Sequence, residues 1–341
     1  MAPNPVIKHN LLQTCLGALI LRKVHQNRHD FGFIFDLDAI LMKGARAIPA
    51  ARKTLLYLQH NNIPFVLMTD RAMNMEIPYS LTLREDLWLD TLSTDQVIQA
   101  HSPFKQLVPQ FVNKIGLAIG RGDQEYLKYL ARSYGFKRVV VPSDLSYAER
   151  VHISAILVWD TPEDIERDAQ LVVDLLLSHK GRTGTISPIN GYLQDSQPPI
   201  FYSNPDFDGF KHRINHLWTE KTNEVELNNQ VLYGKKHVES LRYAELMLRK
   251  QHEKIHGTET KEIRKVFIVG DYGNIKGGTN EGASRRGADL VTCLVESSVH
   301  EAGTALDVVP RWVGQDVGCA VRHALRGEEW VDNEFLGDKD K

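Results

Sequence analysis

Two aspartates two positions apart, Asp36 and Asp38, follow the aromatic run Phe31-Gly-Phe-Ile-Phe35. Like charges this close need a cation or a shared proton to compensate them, and a bound Mg²⁺ is the simplest compensation. With one carboxylate as nucleophile and its neighbour as acid and then base, such a pair can carry a two-step group transfer. A second polar cluster, Thr69-Asp70-Arg71, follows Ile63-Pro-Phe-Val-Leu-Met68. A third, Gly270-Asp271, follows Lys265-Val-Phe-Ile-Val269.

Short, continuously apolar runs of this kind read as strands buried on both faces, so each cluster sits at a strand's carboxyl end. Pro49 opens a helix whose apolar face is Ala51, Leu55 and Leu58, and Asn61-Asn62 closes it. Near the other end of the chain, Leu241, Ala244 and Leu248 mark a helix, Ala288 to Val295 a strand and Asp316 to Leu325 a last helix. The pattern predicts an α/β fold in which both ends of the chain share one parallel sheet. Ligands of open α/β sheets bind beyond the carboxyl ends of the strands, where Asp36, Asp38, Thr69 and Asp271 all map.

Between these ends lies a second series: strand Ile115 to Ile119, helix Gln124 to Tyr134, strands Val139 to Val141 and Ile153 to Trp159, helix Pro162 to His179, and strand Pro199 to Ser203. It predicts a second α/β domain inserted into the first. The expected division is a leader or first helix at 1–30, a core at 31–73 and 231–330, an inserted cap at 74–230 and an acidic tail at 331–341. Linkers are expected near Arg71 to Pro78 and near Tyr233 to Lys236. The charge-rich stretch Arg249 to Lys265 reads as a solvated helix end and loop.

The composition excludes several classes. The 341 residues carry 41 Lys+Arg against 43 Asp+Glu, a balance that does not build a polyanion-binding surface, so nucleic acid is not an expected partner. The nearest approach to a membrane span, Leu11 to Leu21, is too short, so no membrane partner is expected. Three widely spaced cysteines form no zinc or disulfide pattern and suit a reducing compartment. Residues 1–29 hold no acid but include Lys8, Arg22, Lys23 and Arg28, which reads as a mitochondrial transit segment or a packed first helix. The expected location is cytoplasmic or mitochondrial. Gly120-Arg-Gly122 lacks the third glycine of a dinucleotide fingerprint, since Glu125 stands there. His25 and His29 read as a solvated pair, Tyr126, Tyr129 and Tyr134 as packing, and Trp159 as a core residue before a turn.

Taken together, Asp36-Leu-Asp38, Thr69, Lys235 in Tyr233-Gly-Lys and Gly270-Asp271 resemble, in order and spacing, the four motifs of the haloacid dehalogenase (HAD) superfamily of hydrolases. The chain is similar to the class IIA, large-cap type that includes p-nitrophenylphosphatase-like and pyridoxal-phosphatase-like proteins. Within it, the match is best to the cat-eye-syndrome critical region protein subgroup. Gln99-Ala-His-Ser-Pro-Phe-Lys105 and Phe201-Tyr-Ser-Asn-Pro-Asp206 support the likeness, which covers about residues 31 to 325. It implies a Rossmann-like HAD core with a parallel sheet and an inserted α/β cap. It further implies Asp36 as nucleophile, Asp38 as general acid/base, Thr69 as a phosphoryl hydrogen-bond donor and Lys235 as the neutralising cation. Mg²⁺ would be held by Asp36, Asp38 (through its main-chain carbonyl) and Asp271, with Asn274 on the same side. Asp70, Arg71, Asn204 and Asp206 are the substrate-binding expectations, for a small anionic or phosphorylated substrate, and a homodimer is the expected assembly.

The chain departs from the family pattern at several of these places. Ala39 stands where glycine is usual after the second aspartate, Asp70-Arg71-Ala72 replaces an Asn-Gly run, and Lys236 replaces a proline. Asn274 stands where the subgroup has a second acid. Three functions follow as alternatives: a Mg²⁺-dependent phosphatase, a degenerate non-catalytic binding or scaffold protein, and an enzyme using the Asp pair for acid/base chemistry on a carbon substrate.

Overall fold

The structure, a computed structural model, describes residues 30–330 except 39, 72–74, 146–149, 188–193, 195–196, 205–206, 236, 271–286 and 297–309, together with residue 335. Ala39, Ala72, Asp206, Lys236, Asp271 and Asn274 lie outside the described residues, as do the 1–29 leader and all but residue 335 of the 331–341 tail.

In chain order the elements begin with β1 (Phe31–Asp36), a small antiparallel flap of β2 (Met42–Lys43) and β3 (Arg46–Ala47), α1 (Pro49–His60) and β4 (Phe65–Met68). Next come α2 (Glu76–Asp86), β5 (Val97–Ile98), α3 (Val108–Phe111), β6 (Ile115–Ile119), α4 (Gln124–Ser133) and β7 (Arg138–Val140). Then follow β8 (Ile153–Val158), α5 (Ile165–Leu177), β9 (Ile200–Tyr202), α6 (Asp208–Thr222), β10 (Gln230–Leu232) and α7 (Val238–His256). The last are β11 (Lys265–Gly270), β12 (Asp289–Val295), β13 (Trp312–Gly314) and α8 (Val317–Gly327).

Six strands form one parallel sheet in the order β13-β12-β11-β1-β4-β5. Numbered within that sheet, the order is 3-2-1-4-5-6, the Rossmann winding, and its switch point falls between β1 and β11. Side chains of β1 alternate between two cores. Phe31, Phe33 and Phe35 pack with α1 and α8, while Ile34 packs with Leu241, Ala244 and Leu248 of α7. Helices therefore cover both faces of the sheet, the condition that lets a strand be apolar throughout. Gly32 sits where α7 comes closest. A Cβ there would lie 3.0 Å from the Pro64 carbonyl oxygen and 3.1 Å from the Leu248 methyls.

The second sheet is also wholly parallel, in the order β10-β9-β8-β6-β7. It has its own core, in which Ile156, Val158 and Tyr202 pack against Val172, Leu176 and Trp218 from α5 and α6. Sheet membership moves the expected cap boundary. β5 pairs with β4 in the first sheet, and Leu83 and Leu87, in and after α2, lie in the first core, so residues 76–98 belong with the core rather than the insert. The signal was hidden because β5 is only two residues long. At the other end, β10 extends the second sheet to Leu232.

Other differences are local. β4 begins at Phe65 because Pro64 has no N–H to pair; its carbonyl instead accepts the Phe33 N–H at 3.0 Å. α5 begins at Ile165, after Asp164 accepts the Arg167 N–H at 3.0 Å. Arg249 is not solvated as expected: it is 6% exposed and paired with the equally buried Glu245 at 2.6 Å.

Candidate active site

β1 delivers Asp36 to the switch point with its side chain fully buried. Such a carboxylate needs compensation, and two donors provide it through three contacts. Lys235 Nζ lies 3.0 and 3.1 Å from its two oxygens, and the Asp38 N–H donates to Oδ1 at 3.1 Å. Lys235 arrives from the turn between β10 and α7, whose tight path uses Gly234 at φ +114°. A lysine from the end of the second sheet thus completes the charge balance at the end of the first.

Asp38 is about one-third exposed. Its Oδ2 accepts from the Thr69 hydroxyl at 2.7 Å, and its Oδ1 lies 3.1 Å from Arg71 Nε. Thr69 follows β4 and is held there by its N–H, which donates to the Ile98 carbonyl at 3.0 Å. Asp36, Asp38, Thr69, Arg71 and Lys235 are therefore brought together.

Asp70 takes a different place from the expected substrate-binding one. Its Oδ1 accepts the Lys235 backbone N–H at 3.1 Å, and its Oδ2 lies 3.6 Å from Lys235 Nζ. The carboxylate turns to the lysine, which offsets part of its charge. Asn204, at the end of β9, is 8% exposed, and its Nδ2 reaches the Asp70 carbonyl at 3.4 Å. It bridges the two sheets across the cleft.

Among the described residues, the cleft is one negative charge in excess, with Asp36, Asp38 and Asp70 against Arg71 and Lys235. That excess and the hard oxygen donors fit a small divalent cation. The described residues do not complete a ligand set: none of their His, Cys, Asp and Glu side chains form a group of three suited to a metal. Asp271 follows β11, whose Val269 pairs with Phe35 beside Asp36, but it lies outside the described residues.

Two features escape sequence reasoning. The Tyr79 hydroxyl is shielded from solvent and sits beside Thr69 and Arg71. Burial pushes its pKa up; Arg71 opposes this and Asp38 reinforces it. The second feature is a polar hub below the site. Glu76 Oε1 accepts from Ser102 at 2.7 Å and from Tyr134 at 2.8 Å, and Oε2 pairs with Lys105. His101 Nδ1 is 2.7 Å from the Tyr134 oxygen. Because Tyr134 spends its proton on Glu76, His101 must donate from Nδ1, leaving Nε2 as a bare acceptor. Only the phrase Gln99 to Lys105 hinted at this hub, whose members lie up to 58 residues apart in sequence.

Comparison with known proteins agrees with this arrangement. Residues 33–137 match the family model described as haloacid dehalogenase-like hydrolase. The chain is 27% identical over 335 residues to a cardiolipin synthase (CMP-forming)/mitochondrial hydrolase fusion protein of Schizosaccharomyces pombe, covering 87% of this chain and 53% of that one. It therefore spans about half the length of that relative. It is 25% identical over 350 residues to a mitochondrial hydrolase of Saccharomyces cerevisiae, covering 86% of this chain and 95% of that one. Among solved structures, a 4-nitrophenylphosphatase from Thermotoga maritima shares the fold at TM-score 0.53 and 15% identity, covering 87% and 98% of the two chains. A hypothetical protein from Pyrococcus horikoshii shares it at TM-score 0.53 and 16% identity, covering 86% and 99%. With its Rossmann-ordered sheet, its second α/β sheet and the Asp36–Asp38 pair at the switch point, the chain is similar to the haloacid dehalogenase-like hydrolases, whose family model matches residues 33–137.

Proposed function

We propose that the chain is a Mg²⁺-dependent phosphatase acting on a small organic phosphate through an aspartyl-phosphate on Asp36. The observation that carries this reading is the fully buried Asp36 carboxylate held by Lys235, with Asp38 and Thr69 alongside. In the first half-reaction an Asp36 oxygen attacks phosphorus, the ester P–O bond breaks, and the leaving oxygen takes a proton from Asp38. In the second, Asp38 takes a proton from water as that water attacks phosphorus, and inorganic phosphate leaves Asp36. Lys235 and the Thr69 hydroxyl neutralise and orient the phosphoryl oxygens, the main task of the protein in phosphoryl transfer. Asp36, the Asp38 carbonyl and Asp271 would hold Mg²⁺, with Asn274 nearby, and the ion would supply further neutralisation of phosphoryl charge.

Asn204, with Asp206 beside it in sequence, brings the second sheet to the cleft and supports a role in closing over the substrate and selecting it. The relatives are named mitochondrial, and the acid-free basic leader agrees, so the mitochondrion is the proposed location. Asp36→Asn is the decisive variant, because a carboxamide cannot form the acyl phosphate. With Mg²⁺ and a panel of phosphate monoesters, turnover falls about a thousandfold or more while the thermal transition is kept. Parental turnover in this variant would sink the nucleophile assignment. A folded parent inactive on every ester would favour the binding-protein alternative.

A further inference from the structure

The flap between β1 and α1 carries two cations outside the catalytic cluster. Gly44, at φ +65°, opens the two-residue turn Gly44-Ala45 and so fixes the register of β2 on β3. That register sets Lys43 directly opposite Arg46. Residues opposite each other in an antiparallel pair share one face, with Cβ atoms about 5 Å apart, and like charges so placed destabilise the pair. Both side chains are exposed, and neither makes a hydrogen bond or ion pair with the described residues. The catalytic cations differ in this respect, since Lys235 is held by Asp36 and Arg71 by Asp38.

The opposed charges line a cavity of about 640 Å³ between the flap and the start of α8. Ile40, Ile48, Val295 and Val317 give it an apolar wall. Asp316 is the one acid among the described lining residues, and its Oδ1 is committed to the Cys319 N–H at 2.8 Å as the cap of α8. The described lining is thus one positive charge in excess. An anion between Lys43 and Arg46 turns their mutual repulsion into attraction towards itself, whereas a neutral ligand of the same shape leaves the repulsion in place. The volume lies within the usual range of small-molecule sites, roughly 300–1,000 Å³. We propose that this cavity is a second binding site, for an organic anion whose single oxyanion group is held by Lys43 and Arg46 and whose apolar body lodges against Ile40, Ile48, Val295 and Val317. The site goes beyond the phosphatase reading and does not depend on it.

Three probes separate charge from shape. Naphthalene-2-sulfonate, its neutral counterpart naphthalene-2-sulfonamide, and methanesulfonate, which lacks the apolar body, are titrated by calorimetry into the full chain without divalent cation. The parent binds naphthalene-2-sulfonate about tenfold or more tighter than either of the others. The double variant Lys43→Gln, Arg46→Gln brings the sulfonate-to-sulfonamide ratio within about twofold, and each single variant lies between. Because each ratio is internal to one protein, a general loss of stability does not mimic it. Lys235→Gln keeps the parental ratio, since its cation serves the other site. The thermal transition of the double variant is kept or raised, because the substitutions remove two opposed charges. No binding of naphthalene-2-sulfonate, a parental ratio near one, or an unchanged ratio in the double variant overturns the proposal. Loss of the ratio in Lys235→Gln would place the anion in the catalytic cleft instead, and a lowered transition in the double variant would show that both cations serve contacts of the fold; either result also overturns it.

Discussion

His101 is a base held out of water. Burial first, and the nearby Lys105 second, lower its pKa to about 3. The unfolded chain binds a proton on this residue near pH 6.5, and the folded chain does not until about pH 3, so stability is lost as pH falls through that window. Because half of the unfolded chains already carry the proton at pH 6.5, the loss between pH 6.5 and 4.5 is about 2.3 kcal/mol. Denaturant unfolding at pH 6.5 and 4.5 should show this contribution in the parent, and it should be missing from the pH slope of His101→Asn. An unchanged slope would mean that His101 is hydrated or charged in the folded state. At the same scale Asp70 shows what one side chain can do by turning. Its charge looks hostile to a phosphate dianion in the sequence, yet bound to the Lys235 backbone and ammonium it shapes the turn that presents the lysine.

Among the elements, β1 and α7 depend on each other through Gly32. A Cβ there would meet the Pro64 carbonyl before β4 at 3.0 Å and the Leu248 methyls of α7 at 3.1 Å, so both neighbours must give by a few tenths of an ångström. Gly32→Ala should therefore destabilise the fold by about 1–3 kcal/mol, the usual cost of overpacking. Chemical denaturation measures it. A neutral or stabilising result would show that α7 and the segment before β4 can both give way at little cost. β5 makes a related point from the other side. Two residues suffice to extend the first sheet because they pair in register with Leu67 and Met68, and the Ile98 carbonyl then fixes Thr69.

For the molecule as a whole, two sheets with separate cores meet at their carboxyl ends and, among the described residues, are tied by polar contacts at several places. Asn204 joins the Asp70 carbonyl, Lys235 crosses to Asp36, and the Glu76 hub ties α2 to Tyr134 at the end of α4. Gln99 and His101, where the chain passes from the first sheet to the second, are buried, so the junction is packed rather than a loose tether. Glu76→Ala leaves Ser102 and Tyr134 without their acceptor and Lys105 without its counter-ion. Because Lys105 can turn to solvent, the loss should be about 2–3 kcal/mol. Calorimetry should show one transition in the parent and a lower, broader or split one in the variant. A single transition at the parent's temperature would mean that the hub does not couple the halves.

The amino-acid sequence determined what short-range patterns can carry. Apolar runs of strand length ending in Asp36, Thr69 and Gly270, and the helical spacing of Ala51, Leu55 and Leu58, announce strands and helices without any partner in view. The order of the motifs then places the acids and the lysine at one end of a parallel sheet. Only the tertiary structure decided the rest. The two-residue β5 has no periodicity to display, and its membership of the first sheet follows from pairing with β4. The turning of Asp70 to Lys235, 165 residues away, and the gathering of Glu76, His101, Lys105 and Tyr134 arise from long-range contacts. Polar side chains at such distances leave no local pattern, because nothing in their neighbours along the chain says which partner will meet them. Arg71 belongs to both lists. Its place after a strand was legible, but its grip on Asp38 appears only when β1 and β4 lie side by side.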